Sequence, residues 1–231
     1  MQGVRLATVL VAAAMFGGQA AAQNDRPRPS FDCAGVYARV QMTICNSQDL
    51  SELDRDLARY LLAFKTVLSD DAARALDAGQ AAWERARDTQ CNRVIGEIDP
   101  DGPVYRCLMT MYRARLVQLA LQNDRQRGAR GRSISGYYRF VEGGISGEMW
   151  VIGWPEATVT VLIDTLTLPD APTCAFRMET AGDDNLVEGA AQSAQECRVS
   201  ITFEGRAASV RSSNCAAVCV LNGRLDGVYR R

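Results

Sequence analysis

Leu50-Ser51-Glu52-Leu53-Asp54-Arg55-Asp56-Leu57-Ala58-Arg59-Tyr60-Leu61-Leu62-Ala63-Phe64-Lys65-Thr66-Val67-Leu68 decides how the first half of this chain is read. Leu50, Leu53, Leu57, Leu61, Phe64 and Leu68 recur at helical spacing, so the stretch is one helix with one buried stripe. Ser47 stands where an N-cap would, and Asp49 places a negative charge in the first turn, where the helix dipole favours it. Ser69-Asp70-Asp71 ends this helix and starts another, about Ala72 to Ile95. That second helix aligns Leu76, Gln80, Trp83, Arg87, Cys91 and Val94, with polar residues inside the apolar stripe. After the turn-forming Asp99-Pro100-Asp101-Gly102-Pro103, a last helix aligns Val104, Leu108, Met111, Arg115 and Leu119. The expectation is a small antiparallel helical bundle.

The pattern then changes. Asn123 to Ser135 is rich in Arg, Gly and Ser without apolar periodicity and reads as a linker. Beyond it Val159, Val161 and Ile163 alternate with Thr158, Thr160 and Leu162, and Val199, Ile201 and Phe203 alternate with Arg198, Ser200 and Thr202. Alternation of that kind marks half-buried strands. Glu142-Gly143-Gly144, Glu204-Gly205 and Asn222-Gly223 are hairpin signals between such runs. The fold class expected is α+β in two domains: a disulfide-linked antiparallel helical bundle, then an antiparallel β barrel or sandwich of about seven strands. Gly136-Tyr137-Tyr138-Arg139 and Gly227-Val228-Tyr229-Arg230 are alike, which suggests that the first and last strands pair. The boundaries expected are 1–22 as a signal peptide, 23–122 helical, 123–135 linker and 136–231 β.

Arg5, the apolar run Leu6 to Phe16 and the small residues before Ala22 have the pattern of a secretory signal, with cleavage near Ala22. Its apolar run is short for a membrane span. The expected location is periplasmic or secreted. The first cysteine, Cys33, lies well past Ala22, which argues against lipid attachment. All eight cysteines, Cys33, Cys45, Cys91, Cys107, Cys174, Cys197, Cys215 and Cys219, follow the signal, and in an oxidising compartment an even number reads as disulfides. Each set of four allows three pairings. The expectation is local pairing: Cys33 with Cys45, Cys91 with Cys107, Cys174 with Cys197 and Cys215 with Cys219. The chain has no histidine and no second close cysteine pair, so no metal and no cofactor are expected.

Asp32-Cys33, Ile44-Cys45, Leu50-Ser51-Glu52-Leu53-Asp54, Leu57, Tyr60, Gln80, Ala82-Trp83, Arg87-Asp88, Cys91, Cys107-Leu108 and Arg115 together resemble the secreted LprI-type lysozyme-inhibitor domain, over roughly Phe31 to Leu119. The resemblance implies a helical, envelope-located domain, some of whose relatives inhibit lysozyme. One position departs from the pattern: Tyr112 stands where such domains often carry a small hydroxyl residue. The strand half resembles no family we recognise. Asp54, Gln80, Arg87 and Arg115 could form a recognition surface. The simpler reading is a buried polar network, because Gln80, Arg87 and Arg115 lie on apolar stripes, where a charge must be paired. Asp54 is the obvious carboxylate for one arginine, and Trp83 is read as core.

The residues argue for binding rather than catalysis. Without histidine the usual general base is missing, and the sole lysine, Lys65, belongs to no catalytic motif. Gly144-Ile145-Ser146-Gly147 has its second glycine one place early for a nucleophile elbow, and Asp183-Asp184 sits in a loop-like stretch. The net charge is −1, but charge is segregated: arginines dominate from Arg113 to Arg139 and acids from Val141 to Glu204. An acidic body favours encounter with a basic partner. The reading is therefore a protein partner, with a basic lysozyme implied by the resemblance. The alternative is an envelope interaction module that binds another protein or a wall component. Nucleic acid is not expected, because the arginine cluster lacks interleaved aromatics.

Overall fold

In the computed structural model of the protein, the described residues are 27–95, 102–128, 133–167, 171–182, 185–220 and 223–231. The signal segment 1–22, Asp183-Asp184, Asn222, and parts of the 99–103 loop and of the 123–135 stretch lie outside them. Among the described residues, four helices, α1 (Arg39–Asn46), α2 (Gln48–Lys65), α3 (Asp70–Asn92) and α4 (Pro103–Gln126), precede eight strands. These are β1 (Gly136–Glu142), β2 (Ile145–Gly153), β3 (Thr158–Thr167), β4 (Ala171–Ala181), β5 (Leu186–Ala190), β6 (Arg198–Glu204), β7 (Ala207–Ser213) and β8 (Gly227–Arg230).

Local chemistry sets the helix ends. Ser47 accepts a hydrogen bond from the Leu50 amide at 3.2 Å, and Ser69 accepts one from the Ala72 amide at 3.4 Å. Both satisfy amides that the first turn leaves without a partner. Pro103 opens α4, where its missing amide costs nothing. The buried stripe of α2 meets α1 and α4, and Val40, Ile44, Leu50, Leu57, Phe64, Leu108 and Leu116 close the helical core.

The strands form one antiparallel sheet in the order β4-β3-β2-β1-β8-β7-β6-β5. The first and last strands of the chain are therefore neighbours, with Arg139 opposite Arg230. At the two ends of that order, Gly182 of β4's exit bridges Val187 of β5, and the Gln192 amide donates to the Arg177 carbonyl at 2.9 Å. The sheet is thus a nearly closed barrel. It has one strand more than about seven, since a short strand such as β5, with Gly189 and Ala190, carries little alternation to read. Gly143 and Gly144 both take positive φ in the β1–β2 turn, the geometry that matches strand twist. Tyr138, Phe140, Met149, Phe176, Ile201 and Tyr229 fill the interior. Gly147 lies opposite Phe140 because an added Cβ would stand 2.5 Å from that ring.

Two bridges join the expected partners, Cys33 with Cys45 and Cys91 with Cys107. The strand half corrects the other two: Cys174 bonds Cys219, and Cys197 bonds Cys215. Cys215 and Cys219 share a tight turn in which the Val218 and Cys219 amides both donate to the Cys215 carbonyl. From that turn their side chains reach different elements. The segment after Cys215 lies along β4, with Ala175 N donating to Val218 O and Val220 N to Thr173 O, which sets Cys219 beside Cys174. Loop closure by the 45-residue bridge contributes roughly 4 kcal/mol, against about 2 for a bridge across a four-residue step.

The helical core takes in side chains of the strand half. Trp150, Ile152 and Leu162 from the outer faces of β2 and β3, with Trp154 just after β2, pack into the helical cluster. Fully burying each such side chain stabilises by roughly 1.5–3 kcal/mol. The bundle therefore covers the outer face of the sheet around β2 and β3.

Candidate binding site

The residues read as a polar network lie where α2, α3 and α4 meet, and all four are buried. Asp54 on α2 accepts at Oδ1 from the Tyr112 hydroxyl at 2.7 Å, and at Oδ2 from the amide and hydroxyl of Ser30 at 2.7 and 2.6 Å. Tyr112 in turn accepts from Arg87 Nη1 at 2.7 Å. Arg87 Nε donates to Asp88 at 2.8 Å, and its guanidinium lies 5.4 Å from the Trp83 ring centre. Gln80 and Arg115 form a second, adjacent pair, with Arg115 Nε donating to Gln80 Oε1 at 3.1 Å and Arg115 Nη1 to Gln118 at 2.9 Å.

The expected direct pairing of Asp54 with an arginine is replaced by a relay through Tyr112. Tyr112 is the position that departs from the family pattern, and its phenol spans the gap between the α2 carboxylate and the α3 guanidinium. Its packing against Trp83, edge-on at 5.3 Å, holds the ring in place. Sequence reasoning missed Ser30 and Gln41, whose side-chain amide donates to Asp88 at 3.3 Å, and noted Tyr112 only as a departure from the pattern. Asp88, adjacent to Arg87, stands in the motif but was not read as its partner. Burial raises the Tyr112 pKa, and the Asp54 charge adds to the shift. Burial alone would lower the Arg87 pKa, but Tyr112, Asp88 and Asp54 outweigh it and the net shift is upward. For Arg115 burial prevails and the pKa is lowered, opposed in part by Glu84. A guanidinium and a carboxylate locked by so many partners cannot turn outward to a ligand without abandoning buried polar groups.

Charged side chains pair across the seam between the halves, and one pair, Arg113 with Asp164, joins the arginine-rich stretch to the acidic one. Arg113 on α4 bonds Asp164 on β3, and its guanidinium lies 4.4 Å from the Trp150 ring centre. Arg59 on α2 bonds Glu179 on β4 at 2.7 Å and stacks 3.8 Å above Trp154. Arg177 on β4 bonds Asp56 on α2. Tyr60 donates to the Gly153 carbonyl at 2.8 Å, and burial raises its pKa. These polar contacts orient the apolar seam, because an ion pair in the wrong register would leave a desolvated charge.

The helical half coincides with a known family. The family described as "Lysozyme inhibitor LprI" matches residues 33–119. The chain is also 29% identical over 119 residues to proteins named "Lipoprotein LprI" from Mycobacterium bovis and Mycobacterium tuberculosis. The match covers 52% of this chain and 55% of each relative, so the chain spans about half the length of the curated relatives it matches. No solved structure matches the chain. The matched segment runs from Cys33 through α4 to Leu119 and contains two disulfides and the whole Asp54–Tyr112–Arg87 relay. Over its helical half this chain is therefore similar to the LprI lysozyme-inhibitor family.

Proposed function

We propose that this is an exported binding protein that blocks a lysozyme-type glycosidase and so protects the cell wall. The observation that carries the reading is the coincidence of the LprI match with one complete disulfide-linked bundle, from Cys33 to Leu119. The N-terminal pattern of Arg5, the apolar run and the small residues before Ala22 supports export, and no described helix is long and apolar enough to cross a membrane. In this reading Asp54, Gln80, Arg87 and Arg115 are framework that fixes helix register. The protein binds rather than catalyses, and its partner is a basic enzyme drawn to the acids left exposed on the strand half, among them Glu156, Glu188, Glu196 and Glu204. Turbidity loss of a cell-wall suspension, measured with micromolar purified protein at low and moderate salt, tests this. Inhibition that weakens with salt is expected; no inhibition of any lysozyme class ends the reading.

A second reading is favoured by the strand half, which lies outside the family match and carries its own two disulfides. In it the barrel binds another envelope protein and the bundle supports it. Affinity capture from periplasmic extract separates the two, since recovery of a specific non-glycosidase partner supports this second reading and recovery of a glycosidase supports the first.

A further inference from the structure

The outer wall of the barrel places two exposed arginines side by side. Tyr138, Phe140 and Tyr229 point into the interior, so Arg139 on β1 and Arg230 on β8 point outward, and the register sets them directly opposite each other. Both are exposed, and among the described residues neither side chain makes a hydrogen bond or an ion pair. Glu148 of β2 is the cross-strand neighbour of Arg139 on its other side, and its Oε1 accepts the Tyr137 hydroxyl. Ala207 is the neighbour of Arg230 on β7. Like charges directly opposite on a sheet repel, so the fold carries this pair at a cost that a bound anion removes. Around the pair stand Tyr137, Val141 and Val228, exposed by 37%, 69% and 47%. Arginine beside aromatic and aliphatic surface is the composition of an interface centre.

We propose that Arg139 and Arg230 are the contact residues that enter the cleft of the glycosidase and engage its two catalytic carboxylates. This rests on the inhibitor reading above and places its contacts in the strand half, outside the family-matched segment. The complementarity is geometric as well as electrostatic. Opposite residues on neighbouring strands have Cβ atoms about 5 Å apart, and glycosidase carboxylates are separated by roughly 5–9.5 Å, within the spread of two extended arginines. A guanidinium binds a carboxylate through two parallel N–H bonds, which a point charge cannot do. The bundle covers the sheet around β2 and β3 through Trp150 and Leu162, while Arg139 and Arg230 stay exposed.

The test uses the full exported chain and the lysozyme that it inhibits. Arg139→Ala and Arg230→Ala should each weaken inhibition by roughly tenfold and the double variant by roughly a hundredfold. Arg139→Lys with Arg230→Lys should recover part of the loss. Arg85→Ala with Arg93→Ala, an exposed pair on the helical half, should change nothing. A lysozyme whose catalytic glutamate is replaced by glutamine should bind the wild type less tightly and lose less against the double variant, a coupling that a merely structural role would not produce. Thermal melts serve as the folding control and should be unchanged or raised, since a like-charge pair is removed. If the wild type inhibits and the double variant inhibits equally, this assignment is overturned while the inhibitor reading stands. If the wild type does not inhibit, both fall.

Discussion

The Tyr112 hydroxyl donates to Asp54 across the α2–α4 contact at 2.7 Å, and the same oxygen accepts from Arg87. One phenol therefore ties three helices together, and its ring is fully buried. Tyr112→Phe keeps the packing and removes the relay, leaving a buried carboxylate and a buried guanidinium each short of a partner. The expected loss is about 1–3 kcal/mol, read as a lower denaturation midpoint at unchanged slope. A shift near zero would mean that Ser30 and Asp88 satisfy the two charges without the phenol.

Alkaline pH provides an independent reading of the same burial. Tyr60, Tyr105, Tyr112 and Tyr229 all have pKa values raised, first by burial and then by nearby carboxylates. An unfolded tyrosine titrates near about 10. The fold favours the neutral phenol, so its contribution is fully present below that pH and is lost as pH rises toward the raised values. Melting temperature should hold up to about pH 9 and fall above about pH 10, with phenolate absorbance of these residues appearing together with unfolding. Early, independent ionisation of all tyrosines in the folded protein would contradict this.

Trp154 measures how tightly the halves are joined. Its indole packs on Tyr60 at 5.0 Å, lies under Arg59 and donates to Thr160 at 2.7 Å. Trp154→Ala should cost about 3–5 kcal/mol. Because the helical cluster includes β2 and β3 side chains, the wild type should unfold in one cooperative step by both far-ultraviolet and tryptophan signals. Two separated transitions in the wild type would show that the seam does not couple the halves.

The bridges of the strand half are directly testable. Non-reducing peptide mass mapping should recover Cys174 linked to Cys219 and Cys197 linked to Cys215. Replacing Cys174 and Cys219 together by serine should cost roughly 4 kcal/mol, more than loss of the shorter Cys197–Cys215 bridge at roughly 3. Recovery of a Cys215–Cys219 peptide would refute the turn geometry.

Gly147 tests the interior of the barrel. A methyl group there would meet the Phe140 ring at 2.5 Å and the Tyr229 hydroxyl at 2.8 Å. Gly147→Ala should destabilise by about 1–3 kcal/mol through overpacking, measured by chemical denaturation. An unchanged midpoint would mean that the two rings shift freely.

Much of this architecture was legible because it is local. The α2 stripe from Leu50 to Phe64, the Ser47 and Ser69 caps and the Gly143-Gly144 turn each follow from a few neighbouring residues. The likeness of Gly136–Arg139 to Gly227–Arg230 pointed to the β1–β8 pairing. The two helical disulfides were also legible, since each joins cysteines 12 or 16 residues apart around a connection between neighbouring segments. Tyr112 was visible only as an oddity. That it relays Asp54 to Arg87 depends on three helix axes whose relative placement no short-range pattern encodes.

By itself the sequence determined where the helical period ends and the alternating one begins, which residues cap and turn, and that the first half is a disulfide-linked helical bundle, because hydrogen bonding and hydrophobic periodicity act over a few residues. Only the tertiary structure decided that Cys219 reaches Cys174, that the ion pairs Arg113–Asp164, Arg59–Glu179 and Asp56–Arg177 cross between the halves, and that Trp150 and Trp154 join the helical core. Those outcomes depend on which faces of distant elements are brought together when the barrel curls and the bundle lies against it, and apolar burial selects that arrangement over the whole chain at once.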